Sequence, residues 1–306
     1  MRVAVVDIGT NTVLLLIAER ARDGHLAAVL ERACITRLGA GVDASGRLSE
    51  AAISRTATVL AQFGQHVRAN GVQRVAVVGT SAMRDAGSQP IRDAVRSAFG
   101  VEVRVLTGAE EASHTFRGAL SGLASPADEV SVFDVGGGST EVVLGHHGGS
   151  LSFAHSFRVG SVRLTERFIA TDPPSRLELE RLQQHLTETF AEIPPLVGTA
   201  PPVGIAGTVT TLAALLLGVV PYDGARVHGQ IVSTSEVRRL VRDLAAADLA
   251  GRRALPGMEP GRADVVVAGG MIVLALLDHW GSGAMMVSDR GVRWGVAESL
   301  ASGEPL

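Results

Sequence analysis

The sequence predicts an α/β protein made of two similar domains. Three observations carry that reading. Short apolar runs alternate with amphipathic stretches along the whole chain, the pattern of helices packed on sheets. A unit of apolar strand, aspartate, glycine-containing turn and second apolar strand occurs twice, at RVAVVDIGTNTVLLLIAE and VSVFDVGGGSTEVVLG, placing Asp7 and Asp134 127 residues apart. The length, 306 residues, suits two domains better than one. One supersecondary unit repeated at domain spacing points to duplication, with one copy opening each half.

The first copy reads as two strands joined by a turn over 9–12. Ser49 caps a helix whose Ile53, Thr56, Leu60, Phe63 and Val67 recur at spacings of three and four, and Asn70-Gly71 ends it. VQRVAVVGTSAMRDA predicts a strand, a turn at Gly79-Thr80-Ser81 and a helix start; VEVRVLTGAEEASHTFRGAL predicts a strand and then a helix with Glu110 and Glu111 at its beginning. In the second half, Ser175 caps a helix with Leu179, Leu182, Leu186 and Phe190 on one face. PPVGIAGTVTTLAALLLG reads as strand, glycine-rich turn and helix, and Ser235 as the cap of a short helix ending near Asp248. GRRALPGMEPGRAD reads as an exposed loop, 263–280 as a buried helix, and MMVSDRGVRWGVAESL as a strand, a turn over 289–291 and a last helix.

Composition narrows the function classes. Thirty-six glycines, about 12% of the chain, exceed the usual ~7% and follow no triplet period, so they belong to turns and close-approach loops. Aromatics at 4% supply no base-stacking platform, and a net charge of −3 supplies no basic surface for a polyanion. Any anion site is therefore local, and DNA is not an expected partner. Cys34, the only cysteine, reads as a buried structural thiol and excludes an intrachain disulfide. Asp7 interrupts the N-terminal apolar run before it forms a signal core, and the apolar run 265–277 is shorter than the ~20 residues of a membrane span. These features predict a soluble, cytoplasmic protein without a membrane partner.

Four turns carry the candidate chemistry. Asp7, Gly9, Thr10, Asn11 and Thr12 in the first copy, and Asp134, Gly136, Gly137, Gly138 and Ser139 in the second, offer backbone N–H groups and hydroxyls that suit phosphate oxygens. The plainer alternative is a glycine hairpin with a capping aspartate. Neither turn is a Walker loop or a dinucleotide fingerprint, because each leads into a strand and not a helix. The third turn, with Gly207 and Thr208, does lead into a helix and would add its N-terminal partial charge; the alternative is a tight threonine-capped turn. The fourth holds Thr80, Ser81 and Arg84, where Arg84 is either a phosphate ligand or a surface helix residue. Glu110-Glu111 either answers the helix dipole or includes a working carboxylate. Glu111-x-x-His114 has a metal-helix spacing, but its required second copy is missing. His146-His147 reads as exposed, and Glu141 follows the second phosphate turn directly.

The chain closely resembles the exopolyphosphatase/guanosine pentaphosphate phosphatase (Ppx/GppA) family of the actin–Hsp70–sugar-kinase superfamily. The resemblance rests on DIGTNT at 7–12, GTSAMRDA at 79–86, TGAEEA at 107–112, DVGGGSTE at 134–141, VGSVRLTERF at 159–168, GIAGTVTTLA at 204–213, VHG at 227–229 and SDRGVRWGV at 288–296, collinear over nearly the whole chain. It implies two ribonuclease-H-like (actin-like ATPase) domains with an interdomain cleft, at 1–118 and 119–294, with 295–306 completing the first. It implies phosphate loops at residues 9–12 and 136–139, Glu111 activating or positioning the attacking water, and Arg84 as the cleft arginine. Asp134 and Glu141 would be associated with Mg²⁺ (or Mn²⁺) and water, and Gly207-Thr208 would form a third phosphate contact. It further implies a homodimer.

Two departures stand out: threonines at 10 and 12 where serine is common, and Trp294 where glutamate is usual. The chain resembles the compact two-domain members, without the C-terminal helical domain that supports long-chain binding in longer relatives. The leading expectation is release of terminal phosphate from inorganic polyphosphate, with guanosine pentaphosphate second. A kinase or ATPase of the same fold, and a phosphate or alarmone sensor without turnover, are the rival readings.

Overall fold

Strand β1 (Arg2–Ile8) pairs antiparallel with β2 (Thr12–Arg20), Ile8 facing Val13 across the turn, and β2 pairs antiparallel with β3 (Leu26–Ile35). Helix α1 (Glu50–Ala69) follows, Ser49 Oγ accepting the Ala52 N–H at its start. Beyond it lie β4 (Arg74–Gly79), α2 (Gln89–Phe99), β5 (Val103–Val105) and α3 (Gly108–Leu120). β4 and β5 run parallel to β1, giving the sheet order β3-β2-β1-β4-β5. This computed structural model describes residues 1–21, 24–80, 83–84, 88–123, 128–147, 149–196, 198 and 200–304. The chain divides into two units, Met1–Gly118 with Val292–Leu306, and Ala119–Gly291.

In the first unit the period of two along β1 sorts its side chains. Ala4, Val6 and Ile8 face Leu60 and Phe63 of α1 and Ile91 and Val95 of α2. Val3 and Val5 face the C-terminal helix Val292–Ser302, where Trp294 is fully enclosed. The position at which the family usually carries glutamate is thus a core position here. A strand covered on both faces reads as an unbroken apolar run.

The second unit repeats the plan. β6 (Glu129–Val135), β7 (Thr140–His146) and β8 (Leu151–Phe157) form an antiparallel meander. Helices α4 (Ser161–Phe168) and α5 (Arg176–Phe190) follow, then β9 (Val203–Ile205), α6 (Ala206–Leu217), β10 (Ile231–Ser233), α7 (Thr234–Ala246), α8 (Val266–His279) and β11 (Ala284–Val287). The order β8-β7-β6-β9-β11 matches that of the first sheet, with β10 added antiparallel at the edge. Both units have the ribonuclease-H-like arrangement. Buried α8 uses two glycines for close packing: a Cβ at Gly269 would meet Thr208 and Ser161, and one at Gly270 would lie 2.5 Å from Val241.

Four details differ from the sequence reading. The cap of α7 is Ser233, not Ser235, because Ser233 stands three residues before Glu236 and the two complete a reciprocal capping box. The 251–264 stretch is not simply an exposed loop. Arg252 is buried there on Asp172 and the Leu244 and Ala247 carbonyls, and Arg262 lies against Gly207. Cys34 is half-buried on β3 and not enclosed. β3 and β8 are not predicted from the sequence because, as outer strands of their meanders, they lack a clean apolar alternation.

Candidate active site

Most candidate residues of the first unit follow the C-terminal end of one of its parallel strands, where ligands collect in open α/β sheets, and Asp7 is the next-to-last residue of β1. Thr10 follows β1, Thr80 and Arg84 follow β4, and Glu111 follows β5. The second unit has the same disposition, with Gly136–Ser139 (residues 136–139) after β6, Gly207-Thr208 after β9 and Ser288-Asp289 after β11.

The two repeated turns close alike. The Gly9 N–H donates to the Thr12 carbonyl at 3.1 Å and the Gly136 N–H to the Ser139 carbonyl at 3.0 Å. A Cβ at either glycine would press on that carbonyl. Two further carbonyls of the first turn and three of the second are tied back into the protein. In the first, the Thr10 carbonyl accepts from Gly39 N–H, and the Asn11 carbonyl from Thr36 and Arg37. Arg37 holds φ 50°, a left-handed conformation that non-glycine residues seldom adopt.

In the second turn, the Gly136 carbonyl accepts from Ser161, and the Gly137 carbonyl from the Val162 and Arg163 N–H groups. The Gly138 carbonyl accepts from Arg163 Nε at 2.9 Å. In a trans peptide the N–H of one residue points opposite to the carbonyl of the residue before it. Tying back these carbonyls therefore turns the N–H groups of Asn11 and Thr12, and of Gly137, Gly138 and Ser139, away from the bracing segments. Among the described residues no acceptor receives the latter three. Backbone N–H groups left open at a turn are suited to receive an anion.

The adjacent glutamates have different tasks. Glu110 is a half-buried helix cap: its Oε2 accepts the Thr107 N–H and hydroxyl, its Oε1 meets Arg104, and these bonds pull its pKa down to about 2. Glu111 turns inward and is 5% exposed. Arg84 Nη1 donates to Glu111 Oε2 at 2.5 Å and to the Leu106 carbonyl at 2.9 Å, so Arg84 is no mere surface residue. One turn on, His114 is buried, and burial lowers its pKa first, helped by the charge of Arg117. Its Nδ1 has no hydrogen-bond partner among the described residues.

On β6 and β7, Asp134 lies directly opposite Glu141, and Glu141 opposite Ser156 of β8. Opposite residues share a face of the sheet. Glu141 is buried and its Oε1 accepts from Ser156 Oγ at 2.6 Å. The equivalent partner of Asp7 is Leu14. The duplicated unit therefore carries a carboxylate pair in the second copy only. No cluster of three His, Cys, Asp or Glu residues among the described residues is arranged to hold a metal ion. His146 and His147 are exposed.

The start of α6 has no side-chain cap. Thr210 and Thr211 turn their hydroxyls back to the Ala206 and Gly207 carbonyls, and Ala206 holds φ 69°. The Arg262 guanidinium lies directly on Gly207: a Cβ there would come within 1.6 Å of Nη1. Burial pulls the Arg262 pKa below the usual guanidinium range. Arg262 is half-buried, and the carboxylates of Glu259 and Asp289 offset part of that effect. Arg262 was not singled out in the sequence. The one signal for it in the sequence is its place within Gly261-Arg262-Ala263-Asp264, in a stretch that otherwise reads as a loop. Of the other sequence candidates, Thr80 is buried with its N–H on the Ile8 carbonyl, and Ser81 lies outside the described residues.

Two α/β units repeat one sheet order, each with a glycine-containing turn between its first two strands. Residues 16–304 match the Ppx/GppA phosphatase family. The chain is 38% identical to exopolyphosphatase 2 of Mycobacterium tuberculosis over 98% of both chains. It is 26% identical to the guanosine-5'-triphosphate,3'-diphosphate pyrophosphatase of Photobacterium profundum, over 98% of this chain and 59% of that one. Among solved structures, an Aquifex aeolicus Ppx/GppA family member superposes with a TM-score of 0.83 at 35% identity, covering 99% of this chain and 98% of that one. This chain belongs to the Ppx/GppA phosphatase family.

Proposed function

We propose that this protein is an exopolyphosphatase, releasing terminal orthophosphate from inorganic polyphosphate by attack of water. The observation that carries the proposal is the paired set of turns whose carbonyls are tied back and whose N–H groups are presented to an anion. Phosphoryl transfer asks little covalent chemistry of a protein; positioning and charge neutralisation supply most of the catalysis. The turns at 9–12 and 136–139, with Thr80 and Gly207-Thr208, are assigned to phosphate oxygens. Arg262, resting on Gly207, adds a cation to that last contact.

Glu111 takes the proton of the attacking water as its oxygen bonds the terminal phosphorus and the bridging P–O bond breaks. Arg84 fixes the orientation of that carboxylate through Oε2, and the rest of its guanidinium fork is assigned to the terminal phosphate.

Asp134 and Glu141 fit a divalent cation of the Mg²⁺ or Mn²⁺ class. Two hard oxygen donors on one face of the sheet, with no third His, Cys, Asp or Glu grouped with them among the described residues, suit an ion that keeps water and phosphate in its shell. Bound there, the ion would neutralise charge on the phosphate oxygens.

Guanosine pentaphosphate is the alternative substrate, supported by the Photobacterium relative's name. The proposal also includes a cytoplasmic homodimer without DNA or membrane partners; no described helix is long and apolar enough to cross a membrane. Phosphate release measured side by side from long polyphosphate, tripolyphosphate, guanosine pentaphosphate and ATP in Mg²⁺ tests it. The expected result is the highest kcat/KM on polyphosphate. Acceptor-dependent ADP formation from ATP would identify a kinase, and tight binding without release would identify a sensor.

A further inference from the structure

We infer that Arg163 is a positioning residue for the second phosphate turn: it holds the Gly138 carbonyl inward and thereby aims the Ser139 N–H at the substrate. The inference rests on the proposed function, in that it assumes the turn binds phosphate oxygens.

The observations begin with an irregular helix start. Helix α4 has Gly160 at its cap position and no side-chain cap bond. Its first N–H groups, which a helix normally offers to a side chain, water or an anion, instead donate to the turn: Ser161 to Gly136, and Val162 and Arg163 to Gly137. The backbone of α4 thereby fixes two of the three peptide units of the turn. The third, Gly138–Ser139, is held only by Arg163 Nε among the described residues.

Arg163 is itself buried, at 8% exposed, so its guanidinium is enclosed behind the turn and not extended towards solvent. The approach is close as well. A Cβ on Gly160 would lie 2.5 Å from the Gly137 carbonyl carbon and oxygen and 2.6 Å from the Gly138 nitrogen. In the first turn backbone N–H groups of Thr36, Arg37 and Gly39 hold the Thr10 and Asn11 carbonyls, and among the described residues no side chain does so. In the second turn the last peptide is held by one side chain.

This arrangement predicts a selective kinetic effect. Without Arg163 the Gly138–Ser139 peptide is released to rotate, and the turn loses one aligned N–H donor and a nearby positive charge. Arg163→Ala is expected to raise KM for polyphosphate about tenfold, the size of one hydrogen bond involving a charged group, with kcat within about twofold and the other turn untouched. Arg163→Lys, which keeps a buried cationic donor, is expected to recover most of the loss. Gly160→Ala disturbs the same brace from the backbone side and should raise KM in the same way.

The experiment measures kcat and KM on polyphosphate, and Kd for inorganic tripolyphosphate by calorimetry, for the full chain and all three variants. A matching rise in KM and Kd in Arg163→Ala and Gly160→Ala, with recovery in Arg163→Lys, supports the assignment. Unchanged KM and Kd in Arg163→Ala overturns it, as does an equal loss in Arg163→Lys with a lowered melting temperature, which would make Arg163 a folding residue only. If Arg163→Ala does not fold, an unchanged KM and Kd in Gly160→Ala overturns it. Tripolyphosphate binding by a wild-type chain that releases no phosphate would refute the hydrolase reading, while the Kd comparison still decides the role of Arg163.

Discussion

Gly207→Ala isolates the part of the site that the sequence did not reveal. The added Cβ would stand 1.6 Å from Arg262 Nη1, where ordinary contact begins near 3.4 Å, so the guanidinium must withdraw by about 2 Å. That displacement exceeds the tolerance of a hydrogen bond to an anion at the start of α6. Losing a charge-assisted bond of roughly 1.5–3 kcal/mol raises KM for polyphosphate about 10- to 150-fold. Alanine is also the better helix former, by up to about 1 kcal/mol, so the folded state is not weakened by propensity.

The assay is a double-mutant cycle on kcat/KM with Gly207→Ala, Arg262→Ala and the pair. Because Gly207→Ala acts through Arg262, the double variant is expected to match Arg262→Ala alone. Additive losses would show that Gly207 works independently of Arg262, and unchanged KM in both single variants would remove Arg262 from the site.

The remaining expectations concern unit one. Glu110→Gln should lower stability by about 1 kcal/mol through loss of the cap and leave phosphate release unchanged, as read by denaturant titration and a coupled phosphate assay. Because Glu110 titrates at about 2 when folded against an ordinary 4.5, its contribution is present above pH 4.5 and is lost as pH falls towards 2. His114 carries the opposite charge type. With its folded pKa below the usual 6.5, the unfolded chain binds the proton first, so stability falls as pH is lowered through 6.5, and His114→Gln should flatten that slope in denaturant titrations at pH 8, 6.5 and 5.5. Trp294→Ala, removing a fully enclosed indole from the packing of Val3, Val5 and Leu16, should cost about 3–5 kcal/mol in the same titration.

Much of this architecture is legible in the chain because each half repeats one unit. Asp7 and Asp134, with their glycine turns, mark the equivalent strand ends, and the sheets share a five-strand order around them. Heptad-like spacing in α1 and the Ser175–Glu178 pair before α5 located helices with their caps. What sequence could not show is tertiary. Nothing local distinguishes Glu110 from Glu111; only the fold turns one to Thr107 and Arg104 and the other to Arg84. The roles of Arg163 and Arg262 depend on carbonyls and glycines 25 and 55 residues away. A stretch such as 251–264 reads as exposed because it carries arginines, of which Arg252 is buried and Arg262 half-buried against partners elsewhere in the chain.

The central claim is that Glu111, held by Arg84, is the base for water attack on a terminal phosphate. Glu111→Gln keeps the shape and a hydrogen-bond acceptor for Arg84 but cannot take the proton. Its phosphate release from polyphosphate in Mg²⁺, compared with wild type at matched tripolyphosphate Kd and melting temperature, is the direct measurement. The account requires kcat to fall by at least about 10²-fold, the usual contribution of a general base, with binding retained. Near wild-type release from Glu111→Gln would contradict it.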